Sequence, residues 1–89
     1  MRLDLFLKAS RLCPRRTVAQ KICEAGRVFV NDKAAKSSYT VRPGDEIELR
    51  THTRTKRVRV LIVPDTRQTS RADAANLVEV LSEEIVDET

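Results

Sequence analysis

Pro14-Arg15-Arg16-Thr17-Val18-Ala19-Gln20-Lys21-Ile22-Cys23-Glu24-Ala25-Gly26-Arg27-Val28-Phe29-Val30 changes its apolar period in the middle. Before Gly26, Val18, Ala19 and Ile22 recur at helical spacing and predict the buried stripe of a helix from Pro14 to about Ala25. Pro14 suits the first turn, where its missing N–H would be unpaired anyway. Gly26 is the residue expected just past a helix C-terminus. Beyond it, Val28-Phe29-Val30 reads as a strand.

Working outward in the N-terminal direction, Leu3, Phe6 and Leu7 recur at helical spacing with Leu12 closing the set, which predicts an amphipathic helix over residues 3 to 11. In the other direction, Asn31-Asp32-Lys33 predicts a tight turn and a short return through Ala34 and Ala35. Pro43-Gly44-Asp45 is a second turn signal, and Ile47 and Leu49 alternate with Glu46, Glu48 and Arg50. His52 to Lys56 reads as an exposed hairpin loop. Val58, Val60 and Ile62 then alternate until Pro64 stops the ladder. After a polar connector, Ser70-Arg71-Ala72-Asp73 has nearly the capping-box form, with Ala74, Leu77, Val78, Leu81 and Ile85 as one stripe of a last helix. Glu79, Glu83 and Glu84 make its other face acidic, as a solvated surface, a docking face or a cover for basic residues.

Charge divides the 89 residues unevenly. Residues 1 to 59 hold 15 basic against 6 acidic side chains, and residues 60 to 89 hold 2 against 7, within a total of +4. Seven of the basic residues fall in the first 27. Arg15 and Arg16 stand where a helix begins, although the helix dipole and unpaired N–H groups there favour Asp or Glu. A local rule broken in this way points to function. One phosphate would satisfy the amides and both guanidinium groups together.

Other classes find little support. A chain this long holds one domain with a modest core and little room for an enclosed cleft. No apolar run approaches the ~20 residues that span a bilayer, and no signal peptide opens the sequence, so a soluble cytoplasmic protein is expected. Cys13 and Cys23 match neither CxxC nor zinc-site spacing and are expected to be reduced and structural. His52 lacks partners at metal-binding spacing, so no metal site, cofactor or catalytic residue is expected. Asp4, Asp32, Asp45 and Asp65 read as cap, turn or surface residues.

Met1-Arg2-Leu3-Asp4, Phe6-Leu7-Lys8, Ser10-Arg11-Leu12, Arg15-Arg16-Thr17, Gly26-Arg27-Val28, Asn31, Ala35-Lys36-Ser37-Ser38, Val41 and Pro43-Gly44-Asp45-Glu46-Ile47 agree in order and spacing with one pattern. The chain thereby resembles the S4-type RNA-binding domain, above all the stand-alone bacterial RqcP family of ribosome-associated quality control, with the heat-shock S4 proteins as cousins. The match covers residues 1 to about 62, and Ala72-Asp73-Ala74-Ala75-Asn76 extends it.

The resemblance implies an α+β, S4-like (alpha-L) fold: two N-terminal helices on a small, mostly antiparallel sheet. A domain over residues 1–63 is then followed by a linker and an acidic amphipathic C-terminal helix over 64–89. It implies a non-catalytic factor that binds 23S rRNA and tRNA on obstructed large ribosomal subunits. There it would stabilise P-site peptidyl-tRNA during alanine tailing, as a monomer beside an RqcH-type protein and without a membrane role. Arg2, Arg11, Arg15, Arg16 and Lys36 stand at positions matching the family's RNA-contacting pattern, and Lys8, Thr17, Lys21 and Arg27 join them as candidate contacts. Leu5 and Cys13-Pro14 depart from the family by lowering local charge.

Of the three aromatics, Phe6 and Phe29 lie in apolar patterns and only Tyr39 does not, so base stacking should not dominate and folded RNA should be read through phosphates and shape. Three alternatives stand beside this reading. They are a heat-shock-type S4 protein that binds free large subunits with nascent chain-tRNA, an adaptor acting through the acidic helix, and an RNA-modifying enzyme, for which no second domain is expected.

Overall fold

The computed structural model describes residues 1–65 and 70–85. In chain order the elements are α1 (Leu3–Ala9), α2 (Arg16–Glu24), β1 (Val28–Val30), β2 (Lys33–Ala34), β3 (Glu46–Arg50), β4 (Arg54–Val60), α3 (Arg71–Ala75) and β5 (Val78–Ile85). One antiparallel sheet runs in the order β2-β1-β3-β4-β5. Its strands bury Val28, Val30, Ile47, Leu49, Val58 and Val60 against Leu3, Phe6 and Leu7 of α1 and Ala19 and Cys23 of α2. The expected α+β arrangement, two helices on a small sheet, is present.

Backbone chemistry sets the element boundaries. Gly26 has φ 73°, its N–H donates to the Cys23 carbonyl, and the Arg27 N–H donates to Ile22; together these close α2 in a Schellman motif. Asn31 and Asp32 both have positive φ and link β1 to β2 in a two-residue turn, with Val30 opposite Lys33. That geometry matches the twist of a hairpin. Gly44, at φ 93°, occupies the third position of the 42–45 turn, and Asp45 N–H donates to the Arg42 carbonyl.

Several boundaries differ from expectation. α1 stops at Ala9 rather than residue 11, because the Ser10 hydroxyl donates to the carbonyls of Phe6 and Leu7 and Arg11 turns to φ 61°. Pro14 precedes α2 instead of occupying its first turn. The Cys13 N–H is tied back to the Leu7 carbonyl, so the chain stays bent until Arg15 caps the helix in an extended conformation. The buried stripe of α2 is Ala19 and Cys23, one turn apart, with Ile22 at its margin and Val18 only half-buried. β4 begins at Arg54, within the expected loop, and ends at Val60. Leu61 and Ile62 both donate to the Leu77 carbonyl, which leaves Ile62 exposed.

The largest correction concerns the expected C-terminal helix. Ser70 caps Asp73 N–H as the capping-box reading required, but α3 ends at Ala75 and Val78–Ile85 is an edge strand on β4. Val78 and Val80 face Val60 and Val58, where β-branched side chains pack better than in a helix. Part of the polar connector (66–69) and the last residues (86–89) lie outside the described residues.

Candidate nucleic-acid interface

Asp4, read as a cap or surface residue, is fully buried. Its carboxylate accepts the Leu5 N–H at 2.8 Å, Gln20 Nε2 at 3.0 Å, Arg16 Nε at 3.1 Å and Arg2 Nε at 3.3 Å. Burial raises its pKa, but the hydrogen bonds from Gln20, Arg16 and Leu5 and the Arg16 charge outweigh it and hold the carboxyl below its ordinary value. Both guanidinium groups are thereby fixed by one edge while their side chains stay partly open to solvent.

The two helix starts differ. At α1, the N–H groups of Leu3 and Asp4 are taken by the carbonyls of Tyr39 and Ser37. At α2, Arg15 provides no side-chain cap and the first turn holds no acid. An anion there would meet partial positive charge and open donors.

Beside this terminus, Leu5, Lys8, Arg15, Arg16 and Thr17 line an open groove of about 420 Å³. The structure thus brings together Lys8, Arg15, Arg16 and Thr17, with Arg2 joined to them through Asp4. Arg11 stands exposed at the C-terminal end of α1 in the left-handed conformation, where glycine is favoured. Lys21 is exposed in the last turn of α2, and Arg27 is half-buried at the entry to β1. Lys36 is not in the groove: with Lys33, Asn31, Ser38 and Tyr39 it lines a separate depression of about 600 Å³ beside the β1–β2 hairpin.

Asp45 anchors that hairpin by accepting Asn31 Nδ2, the Tyr39 hydroxyl and the Arg42 N–H. Burial and this hydrogen bond raise the Tyr39 pKa. Phe29 carries the Arg50 guanidinium over its ring at 4.3 Å. Cys13 and Cys23 are free thiols raised to about 11, chiefly by burial.

The basic residues of β3 and β4 are matched by acids. Arg50 meets Glu48 at 2.7 Å, Arg57 meets Asp32 and Glu46, Arg54 meets Glu83 at 3.1 Å and Arg59 meets Glu79 at 3.6 Å. Lys8, Arg15 and Lys21 have no carboxylate within 4.0 Å among the described residues. Positive charge without an acidic partner therefore lies on the helical pair and, apart from it, at Lys33 and Lys36 beside the hairpin. Sequence reasoning missed Asp4 and Gln20 as organisers of the helical pair, because the bonds that Asp4 accepts from Arg16 and from Gln20 span 12 and 16 residues.

Comparison with known proteins agrees with this architecture. The S4 domain family model matches residues 1–47. The chain is 44% identical over 84 residues to the RQC P-site tRNA stabilizing factor of Bacillus subtilis, covering 94% of this chain and 95% of that one. It is 42% identical over 88 residues to the protein of that name from Streptococcus pneumoniae, covering 99% and 98%. The trimeric structure of Vibrio cholerae heat shock protein 15 superposes with TM-score 0.82 at 31% identity, over 92% of this chain and 82% of that one. With near-complete coverage, shared fold and matched motif, the chain belongs to the S4 domain family and stands within it beside the RQC P-site tRNA stabilizing factors.

Proposed function

We propose that this chain is a non-catalytic RNA-binding factor of ribosome-associated quality control in the cytoplasm. It docks on 23S rRNA and tRNA of an obstructed large ribosomal subunit and stabilises P-site peptidyl-tRNA while an RqcH-type protein extends the stalled chain with alanine. The observation that carries this reading is the convergence of Lys8, Arg15, Arg16 and Thr17 on one groove at a helix start without an acidic cap. The printed names of the relatives supply the ribosomal context.

Arg2, tied with Arg16 to Asp4, joins this surface, and Lys21 and Arg27 are kept as further candidate contacts. Recognition runs through phosphates and RNA shape, since Phe29 is covered by Arg50 and Phe6 is fully buried. The domain is assigned to residues 1–63, with the C-terminal strand as an addition to its sheet. The adaptor reading was framed on an acidic amphipathic helix, and Val78–Ile85 is a strand instead.

The test is sedimentation of tagged protein from cell extract. Wild type is expected in large-subunit fractions that carry peptidyl-tRNA, and Arg15→Ala with Arg16→Ala is expected at the top of the gradient. Recovery of wild type only as free protein rejects the proposal. Equal recovery on subunits with and without peptidyl-tRNA rejects the stabilisation of P-site peptidyl-tRNA.

A further inference from the structure

We propose that the acidic edge strand β5 is an electrostatic mask that sets RNA specificity by withholding the cations of β4 from phosphate. This rests on the reading of the helical face as the RNA interface. β4 carries Arg54, Lys56, Arg57 and Arg59, enough to attract a polyanion by itself. Three of the four are met by β5: Glu83 reaches both Arg54 and Lys56, and Glu79 reaches Arg59.

The charged side chains of the strand are poorly explained as a source of stability. None of its residues is buried, and Val80 and Ile85 are 53% and 77% exposed. Exposed ion pairs of this kind contribute little to folding. They do govern where a phosphate can bind, because a cation already paired with carboxylate releases fewer counterions on meeting RNA. A bulge between Arg57 and Val58 makes Leu81 the extra residue of β5 and sets Glu83 opposite Lys56. Glu79 and Glu83 consequently lie on opposite faces of the sheet, beside the cations that share those faces. A factor that must find one RNA surface among many gains when the cations of β4 do not compete with its helical face.

The experiment uses the full chain and a short fluorescent RNA duplex of unrelated sequence, with affinity measured by anisotropy across a KCl series. Glu79→Gln with Glu83→Gln and Glu84→Gln is expected to bind the duplex more tightly than wild type. Its log–log salt slope should steepen by about 0.9 for each cation released. Adding Arg54→Ala, Lys56→Ala and Arg59→Ala should remove the gain.

Asp65→Asn with Asp73→Asn, which changes charge away from β4, should leave the slope as in wild type. An unchanged slope in the folded glutamine variant, or equal steepening in the control, overturns the mask. If the triple variant does not fold, Glu83→Gln alone releases Arg54 and Lys56 and is held to the same criterion with a smaller increment. Arg15→Ala with Arg16→Ala is run in parallel. Loss of wild-type affinity there upholds the helical interface whatever the β5 variants do, and its absence rejects that interface independently.

Discussion

The carboxylate of Asp4 is completely shielded from solvent, yet it lies 3.1 Å from Nε of Arg16, whose side chain remains 39% exposed. One residue supplies the buried anchor and the other the accessible charge. Asp4→Asn keeps the shape but removes the charge that Arg16, Arg2 and Gln20 share. A loss of about 2 kcal/mol is expected, the scale of hydrogen bonds to a charged group. Chemical denaturation measures it, and RNA affinity should fall in the same variant because both guanidinium groups become free to wander.

The same pair gives an acid signature. A carboxyl held below its unfolded value adds stability above the ordinary aspartate value of 3.8, and that contribution disappears as pH falls through the folded value. Wild type should therefore lose its advantage over Asp4→Asn as the solution is acidified below about pH 4. Melting curves of both proteins across that range should converge. Parallel curves would show that the carboxylate has no such role.

Arg15 and Arg16 are neighbours with different duties. Arg15 makes no ion pair among the described residues, so Arg15→Ala should leave stability within about 0.5 kcal/mol of wild type. It should also flatten the salt slope of RNA binding by about 0.7 to 0.9, the value for one phosphate contact. Arg16→Ala should lower both affinity and stability, because it also strips Asp4 of a partner. Paired thermal and anisotropy measurements separate the two.

Cys13 and Cys23 should resist alkylation in the native protein and react once it is unfolded. Burial keeps their protons until about 11, whereas unfolded thiols ionise near their ordinary value of 9.0. The unfolded chain therefore binds fewer protons between those values, so stability should decline as pH rises through that window. Unfolding titrations of wild type against Cys13→Ala with Cys23→Ala check this, since the double variant lacks that component of the decline.

Gly26→Ala isolates a backbone cost. A Cβ there would meet nothing within 4 Å, but the residue sits at φ 73°. The expected loss is about 1 kcal/mol from the left-handed conformation alone. Gly26→Asn should lose less, because Asn tolerates that region better, and urea midpoints would rank the three proteins.

Residues whose local chemistry admits one answer were legible in the sequence. Gly26 could only end α2, and Asn31-Asp32 suited a two-residue hairpin. Arg15 and Arg16 at a helix start marked the candidate surface because they contradicted local electrostatics. The final segment was not legible. Leu77, Val78, Leu81 and Ile85 fit a helical stripe, while the strand's alternation breaks at Leu81, where the bulge shifts its phase. Asp4 was missed because its partners are distant in sequence, and Lys36, named through the family resemblance, lies beside the hairpin, since a motif match carries no direction in space.

Leu81 has one more consequence. As the surplus residue of the bulge, it gives β5 a unit of slack: deleting it would close the ladder with Ser82 still opposite Arg57 and Glu83 still opposite Lys56. The tail can shorten by one residue there without any carboxylate changing partner. An added residue has no such reserve and must displace the register on one side. Length changes in this strand are therefore tolerated in one direction only, and a library of single deletions and insertions across residues 78 to 85 would reveal that asymmetry.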